Sequence, residues 1–262
     1  MKPVLYAKWR DMRIGGIVDT STVDWYGNVT LMIFAAGCNF RCPYCQNSIL
    51  IPADSGKEVP MSSILERIET NRFLLDAVGV TGGEPTLQPR PLGQIYESAK
   101  SQSLKTMLDT NGSRPDVIQN LCEKALLDHI ALDIKAPLDA AMHTAVIGIN
   151  NCADTVQRIR RSLDIAAEFG TSLEVRTTVV PGLSDEPIFI EDIAREVKDK
   201  TNLFYLQQFN PQAEILDPSL KTRGFPTRET LVQLAYVALK AGVRGVYVKT
   251  KETGLEEVLN EK

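Results

Sequence analysis

The chain has 262 residues, 44% of them hydrophobic and 24% charged, with 17 glycines and 14 prolines; these proportions exclude a collagen-like, low-complexity or disordered protein and allow a sizeable core. Its 29 Lys and Arg against 33 Asp and Glu give a formal net charge of -4, so a nucleic acid is not an expected partner. The longest apolar run, residues 29–36, is about half a bilayer span, and the N-terminus, with Lys2, Lys8, Arg10, Asp11 and Arg13, lacks the apolar stretch of a signal peptide: a cytoplasmic protein without a membrane partner is expected.

Residues 1–28, broken by Gly15, Gly16 and Gly27, fit no repeat and read as an N-terminal extension packed on, or covering one end of, a single domain over residues 29–262. From residue 29 onward short β-branched runs alternate with amphipathic stretches. Strand 29–36 precedes helix 62–75, strand 77–81 precedes helix 89–101, and strand 105–109 precedes helix 115–127. Strand 129–134 is followed by helix 155–169, strand 173–180 by helix 187–198, and strand 203–209 by helix 227–240, before a last strand at 245–249. Asp116, Asp154 and Thr227 stand near helix starts, and Gly170 and Gly242 follow helix ends, as capping requires. Repeated strand–helix–strand order means a parallel sheet covered by helices. The expected fold is α/β, a partial (β/α)6 TIM-like barrel with room for a seventh strand.

In such a barrel the C-terminal ends of the strands converge on one mouth, where ligands bind. The predicted ends carry, in turn, Gly37-Cys38, Gly82-Gly83-Glu84-Pro85, Asp109-Thr110-Asn111-Gly112, Asp133-Ile134-Lys135, Arg176 ahead of Val180-Pro181-Gly182, and Gln207-Gln208-Phe209-Asn210. Thiol, charged and amide groups therefore recur at one end of the sheet.

Five cysteines and two histidines are present, and Cys38, Cys42 and Cys45 are spaced C-x3-C-x2-C. A clustered, odd set argues for metal or redox chemistry over a disulfide framework. Structural zinc takes four protein ligands, so it would have to recruit Cys122, Cys152 or a histidine. Cys122 falls in a predicted helix, Cys152 near a helix start and His129 at a strand start, all structural positions, and His143 receives no role. Three thiolates alone suit a 4Fe-4S cluster with one iron open to a further ligand. A reactive iron–sulfur site and a zinc-stabilised binding module are the two readings of this loop.

The loop, with Tyr44 before its last cysteine, resembles the signature of the radical S-adenosylmethionine (SAM) enzymes. Residues 37–47, 81–85, 108–112, 132–135, Arg176 and 180–185 follow the motif order of glycyl-radical-enzyme activases, over residues 13 to about 212. Within that group the chain is most similar to the activating proteins of anaerobic ribonucleoside-triphosphate reductases, which residues 15–24 and 206–209 also resemble. The resemblance implies that Cys38, Cys42 and Cys45 hold a 4Fe-4S cluster whose open iron chelates SAM, and that an electron from a low-potential donor such as flavodoxin or ferredoxin cleaves SAM to methionine and a 5′-deoxyadenosyl radical. That radical would take a glycine hydrogen from a partner glycyl-radical enzyme, or, in an alternative reading, modify a peptide, nucleoside or RNA. It also implies that Gly82, Gly83, Glu84 and Asp109 meet the methionine amino group. Lys135 and Arg176 would meet its carboxylate, Tyr44 the adenine, and Asp133 the ribose or, with Asp109, a monovalent cation. Two positions depart from the pattern: Asn210 stands where pyruvate formate-lyase activating enzymes carry the histidine of the adenine contact, and Tyr26 replaces a proline.

Overall fold

The computed structural model describes residues 11–150, 152–201 and 203–259; the expectations for Lys2, Lys8 and Arg10 lie outside them. In chain order the strands are β1 (Met12–Ser21), β2 (Thr30–Ala35), β3 (Lys57–Val59), β4 (Ala77–Gly82), β5 (Lys105–Thr110), β6 (His129–Asp133), β7 (Ser172–Val179), β8 (Leu203–Gln208), β9 (Gly245–Thr250) and β10 (Gly254–Val258). All belong to one sheet of order β10-β9-β8-β7-β6-β5-β4-β2-β1-β3. From β2 to β9 every pairing is parallel, which makes the expected seventh strand a full member. At one edge β1 and β3 add antiparallel, at the other β10 does. The two edge strands do not pair with each other, so the barrel is partial.

Between the strands lie α1 (Met61–Asn71), α2 (Pro89–Ser101), α3 (Pro115–Glu123), α4 (Ala140–Ile147), α5 (Ala153–Phe169), α6 (Pro187–Val197) and α7 (Arg228–Lys240). None is long and apolar enough to cross a membrane. The expected helix 115–127 stops four residues early, because Ala125 turns to φ 53° and the Leu126 N–H closes back on the Leu121 carbonyl at 2.9 Å. Asp116 and Asp154 lie in first turns rather than at caps, whereas Thr227 does cap α7, accepting from the Thr230 N–H at 3.1 Å. Helix α4 was not expected: its residues are apolar almost all round, which hides the 3.6-residue stripe.

Register sorts the side chains into two faces, since neighbours along a strand alternate. One row runs Ile33, Val80, Leu108, Ile130 and Leu173, all buried; with Ile95, Tyr96, Ile159 and Leu163 of the helices it belongs to the core. The opposite parity carries Asp109, Ala131 and Glu174 in one row, then Asp133, Arg176, Tyr205 and Tyr247, then Thr178, Gln207 and Lys249. Register alone thus gathers Asp109, Asp133, Glu174, Arg176 and Lys249 on the interior face of the barrel.

The turn joining β1 to β2 reaches into that interior. Trp25 stacks on His129, centroids 4.8 Å apart at 12°, while the Val23 and Asp24 carbonyls accept from Lys249 and Arg176, each at 2.8 Å. Of residues 1–28, therefore, 12–21 are a strand of the sheet and 23–25 fasten to the barrel interior.

Candidate active site

Strand β2 runs straight into the cysteine loop. The loop is sewn shut where Gly37 N–H and Cys38 N–H donate to the Leu50 and Ile51 carbonyls at 2.8 and 3.0 Å. Two distant segments anchor it. The end of α4 accepts the Arg41 N–H through Ile147 at 2.8 Å, and a strap after β8 contributes Asp217 N–H to Pro43 O at 2.8 Å and Glu214 O to the Ser48 hydroxyl at 3.1 Å. Phe40, Cys42 and Tyr44 are buried, and Cys38 and Cys45 half-buried.

All three thiols line one cavity of about 200 Å³, together with Tyr44, Gly82, Gly83, Asp109, Asp133 and Lys135. Six of the nine side-chain or backbone contacts expected for SAM are therefore brought to the same wall space as the thiols. Glu84, Arg176 and Asn210 do not line it.

The glycine pair is dictated by close backbone approach. A Cβ on Gly82, whose φ is 117°, would stand 2.4 Å from Ala35 O, and one on Gly83 would stand 2.2 Å from Gly37 O. Only residues without side chains let β4 touch the β2 end this closely. Asn47 of the cysteine loop then donates to Gly82 O at 3.2 Å, tying thiols and glycines into one unit.

Glu84 is fully buried behind the cavity. Its carboxylate accepts from Thr86 N–H (3.1 Å), the Thr86 hydroxyl (2.5 Å), the Thr110 hydroxyl (2.7 Å) and Asn111 N–H (2.8 Å). Burial raises its pKa, against the lowering pull of these donors. Its carboxylate is thus committed to fixing the turns after β4 and β5.

Arg176 is 6% exposed. Its guanidinium pairs with Glu174, reaches Asp109 Oδ2 at 3.4 Å and donates to Asp24 O at 2.8 Å. Glu174, two residues earlier on the same face, draws it down into the barrel and away from the thiols. Burial acts to lower its pKa, but Glu174 and Asp109 outweigh that and raise it. Asn210 instead begins a turn beyond β8, its Oδ1 accepting from Gln212 N–H at 2.9 Å.

Asp109 accepts from the Thr81 hydroxyl at 2.8 Å, and burial pushes its carboxyl up to about 6 despite Arg176. Lys135 Nζ sits 2.5 Å from Asp133 Oδ2. Burial alone would depress the Lys135 ammonium, yet the nearby Asp133, Tyr44 and Cys42 hold it charged. Burial also pushes the thiols up, Cys38 to about 11 and Cys42 to about 12, and Cys45 in the same direction, with Lys135 pulling all three back. The Tyr44 hydroxyl is buried without a hydrogen-bond partner among the described residues.

These donors fit a cluster better than a single ion. No group of three or more His, Cys, Asp or Glu among the described residues surrounds one point as a lone metal requires. The side chains that could complete a zinc site are occupied elsewhere: Cys122 faces Thr171 at 3.5 Å, Cys152 bonds Ile149 O at 3.3 Å, His143 meets Pro137 O at 2.8 Å, and His129 lies under Trp25. Three soft thiols on one wall, facing an open cavity, match a cubane held by three protein ligands.

Sequence reasoning assigned no SAM contact to Thr81, Gln46, Asn47, Thr178 or Gln207, which also line the cavity. Thr178 and Gln207 were findable in part, because each stands two residues beyond an inward-facing position of its strand.

The family model for the radical SAM superfamily matches residues 32–199. The chain belongs to the radical SAM superfamily. Enzymes of this superfamily work with an iron–sulfur cluster and SAM. The chain is 34% identical over 229 residues to a Methanocaldococcus jannaschii protein provisionally named a glycyl-radical enzyme activating enzyme, covering 87% of this chain and 92% of that one. It is 30% identical over 201 residues to pyruvate formate-lyase 1-activating enzyme of Escherichia coli K12, covering 73% and 77%. Among solved structures, Streptococcus suis SuiB bound to precursor peptide SuiA superposes with a TM-score of 0.65 at 13% identity, over 84% of this chain and 48% of that one, a likeness of fold alone. This radical SAM protein is accordingly an enzyme, and its α/β partial barrel is the fold of its structural neighbours.

Proposed function

We propose that this radical SAM enzyme is a glycyl-radical-enzyme activase, acting on an anaerobic ribonucleotide reductase or a related polypeptide. The observation that carries the chemistry is the convergence of three thiols, a side-chain-free β4 edge, Asp109 and Lys135 on one cavity. Relatives named as a glycyl-radical enzyme activating enzyme and as a pyruvate formate-lyase activating enzyme support the choice of target.

When bound by Cys38, Cys42 and Cys45, a 4Fe-4S cluster supplies, from a low-potential donor such as flavodoxin or ferredoxin, the electron that splits SAM into methionine and a 5′-deoxyadenosyl radical. The chain's residues orient the substrate. Gly82 and Gly83 offer bare backbone to the methionine amino group, whose N–H donors also meet Asp109. Lys135 takes the carboxylate. Asp133 receives the ribose rather than a monovalent cation, because Lys135 already balances its charge. Tyr44 closes the adenine side. Arg176 and Glu84 serve as positioning residues, the first for Asp109 and the second for the turns at Thr110 and Asn111. Hydrogen abstraction then breaks one Cα–H bond of a target glycine, leaving 5′-deoxyadenosine and a carbon-centred radical on the polypeptide.

The test is anaerobic. The full chain, reconstituted with iron and sulfide and reduced by dithionite, should release methionine and 5′-deoxyadenosine and raise a glycyl-radical EPR signal in the partner polypeptide, while Cys38→Ala should do neither. SAM cleavage without that signal in any glycyl-radical polypeptide would overturn the target. One zinc per chain and no iron after reconstitution would overturn the chemistry.

A further inference from the structure

Beside the thiol-lined cavity a groove of about 350 Å³ opens across the C-terminal ends of β7, β8 and β9. Gln46, Thr178 and Gln207 line both spaces, so the groove adjoins the cavity through these three side chains. Its remaining wall, which includes Gln208, Phe225, Lys249 and Lys251, lies wholly beyond the residues matched by the family model. Apart from Gln46 and Thr178, the groove is thus built from chain that the common family chemistry does not use.

The groove wall has a definite chemical character. Among the described residues the Gln46 and Gln207 amides and the Thr178 hydroxyl make no hydrogen bond, and they stand free at the junction as donors and acceptors. Lys251 Nζ sits 5.6 Å from the centroid of the Phe225 ring and 3.0 Å from Gln212 Oε1, while its own N–H is held by Gln208 Oε1 at 2.9 Å. Lys249 Nζ is 2.8 Å from the Val23 carbonyl. Neither lysine forms an ion pair among the described residues. Glu252, the nearest acid in sequence, takes the Gln208 amide at 3.3 Å.

Free amides in a row suit the N–H and C=O groups of an extended peptide, and an unpaired ammonium suits a carboxylate. A nucleic-acid backbone would ask for a series of cations, one for each phosphate neutralised; this groove has two, one of them already on a carbonyl. We propose that the groove holds an extended segment of the target polypeptide and selects, through Lys251 over Phe225, a segment with an acidic side chain close to the reacting glycine. The inference rests on the activase reading for the identity of its ligand.

The probes are end-capped, fluorescently labelled peptides with a Cα-dideuterated glycine and Glu, Gln or Lys as the only variable residue near it. They are tested on the iron-loaded, SAM-bound full chain. Fluorescence anisotropy should give the Glu peptide about three- to fivefold tighter binding than the Lys peptide, the range of an exposed charge pair. Lys251→Glu should invert that order, Lys251→Gln should erase it, and Lys240→Glu, on the exposed end of α7, should leave it as in the wild type. Equal binding of the Glu and Lys peptides to the wild type, an unchanged order in Lys251→Glu, or displacement of the Glu peptide by a single-stranded oligonucleotide would each overturn the inference. Deuterium in 5′-deoxyadenosine separates the two levels: ordered binding without transfer sinks the activase reading and keeps the groove, whereas transfer without charge preference sinks the groove and keeps the activase.

Discussion

Arg176 Nη1 and Asp109 Oδ2 stand 3.4 Å apart across the width of β6, although 67 residues separate them in the chain. Asp109 thereby faces two ways, with the cavity on one side and a buried guanidinium on the other. Behind Arg176 the chain of contacts continues through Glu174 to His129, 3.4 Å from Glu174 and stacked on Trp25. The orientation of a carboxylate at the mouth is therefore anchored to the turn joining β1 to β2.

Removing the guanidinium should show which task it performs. Arg176→Met leaves Glu174 and Asp109 buried without their cation, and the expected loss is about 3–5 kcal/mol of folding stability, read by urea denaturation. Were Arg176 instead a direct SAM ligand, stability would be nearly unchanged and SAM affinity alone would fall.

The Asp109 carboxyl, pushed up to about 6 by burial, sets a pH dependence. Only its ionised form presents a negative charge to the amino group of SAM, so affinity should be full above that value and be lost as the pH falls through it. Below about pH 6 the dissociation constant should rise by up to roughly tenfold per unit, as uptake of one proton requires. Equilibrium dialysis of labelled SAM against iron-loaded protein measures this; Asp109→Asn should bind weakly at every pH and flatten the profile.

Gly83→Ala would drive a methyl group to within 2.2 Å of the Gly37 carbonyl, a main-chain atom that cannot swing aside. Separation of β4 from the cysteine loop should follow, with reduced iron uptake after reconstitution and a fall of several degrees in Tm, as a destabilisation of about 1–2 kcal/mol produces in a chain of this size. Unchanged iron content and Tm would show that the two backbones need not touch.

Glu84→Gln replaces one acceptor oxygen by a donor amide in a pocket built entirely of donors. It should cost about 1–3 kcal/mol in stability, with weaker SAM binding as a consequence of displaced turns. A variant of wild-type stability that has lost only SAM affinity would return Glu84 to the role of a direct contact.

The parallel strands were readable because burial on both faces leaves runs such as residues 31–36 without polar interruption. Strand β1 escaped: it pairs antiparallel, carries Gly15 and Gly16, and mixes exposed and buried positions along its length. Strand β10, with Glu256 and Glu257 at its centre, has no apolar run to announce it. At the site, Cys38, Cys42 and Cys45 were legible because their spacing is local. The destinations of Arg176 and Glu84 were not, since each depends on partners brought together by sheet register, Asp109 and Glu174 for one and Thr110 and Asn111 for the other. The groove residues Phe225, Lys249 and Lys251 carry no motif, and only the strand order sets them beside Gln207.

The strap over the cysteine loop, Glu214 on Ser48 and Asp217 on Pro43, imposes a timetable on biosynthesis. Chains emerge from the ribosome N-terminus first at about 5–20 residues per second, so the three thiols are made roughly ten seconds or more before the segment that braces their loop. Throughout that interval the loop lacks its brace at Pro43 and Ser48, and the thiols take their final places on the cavity wall only once the strap has been made.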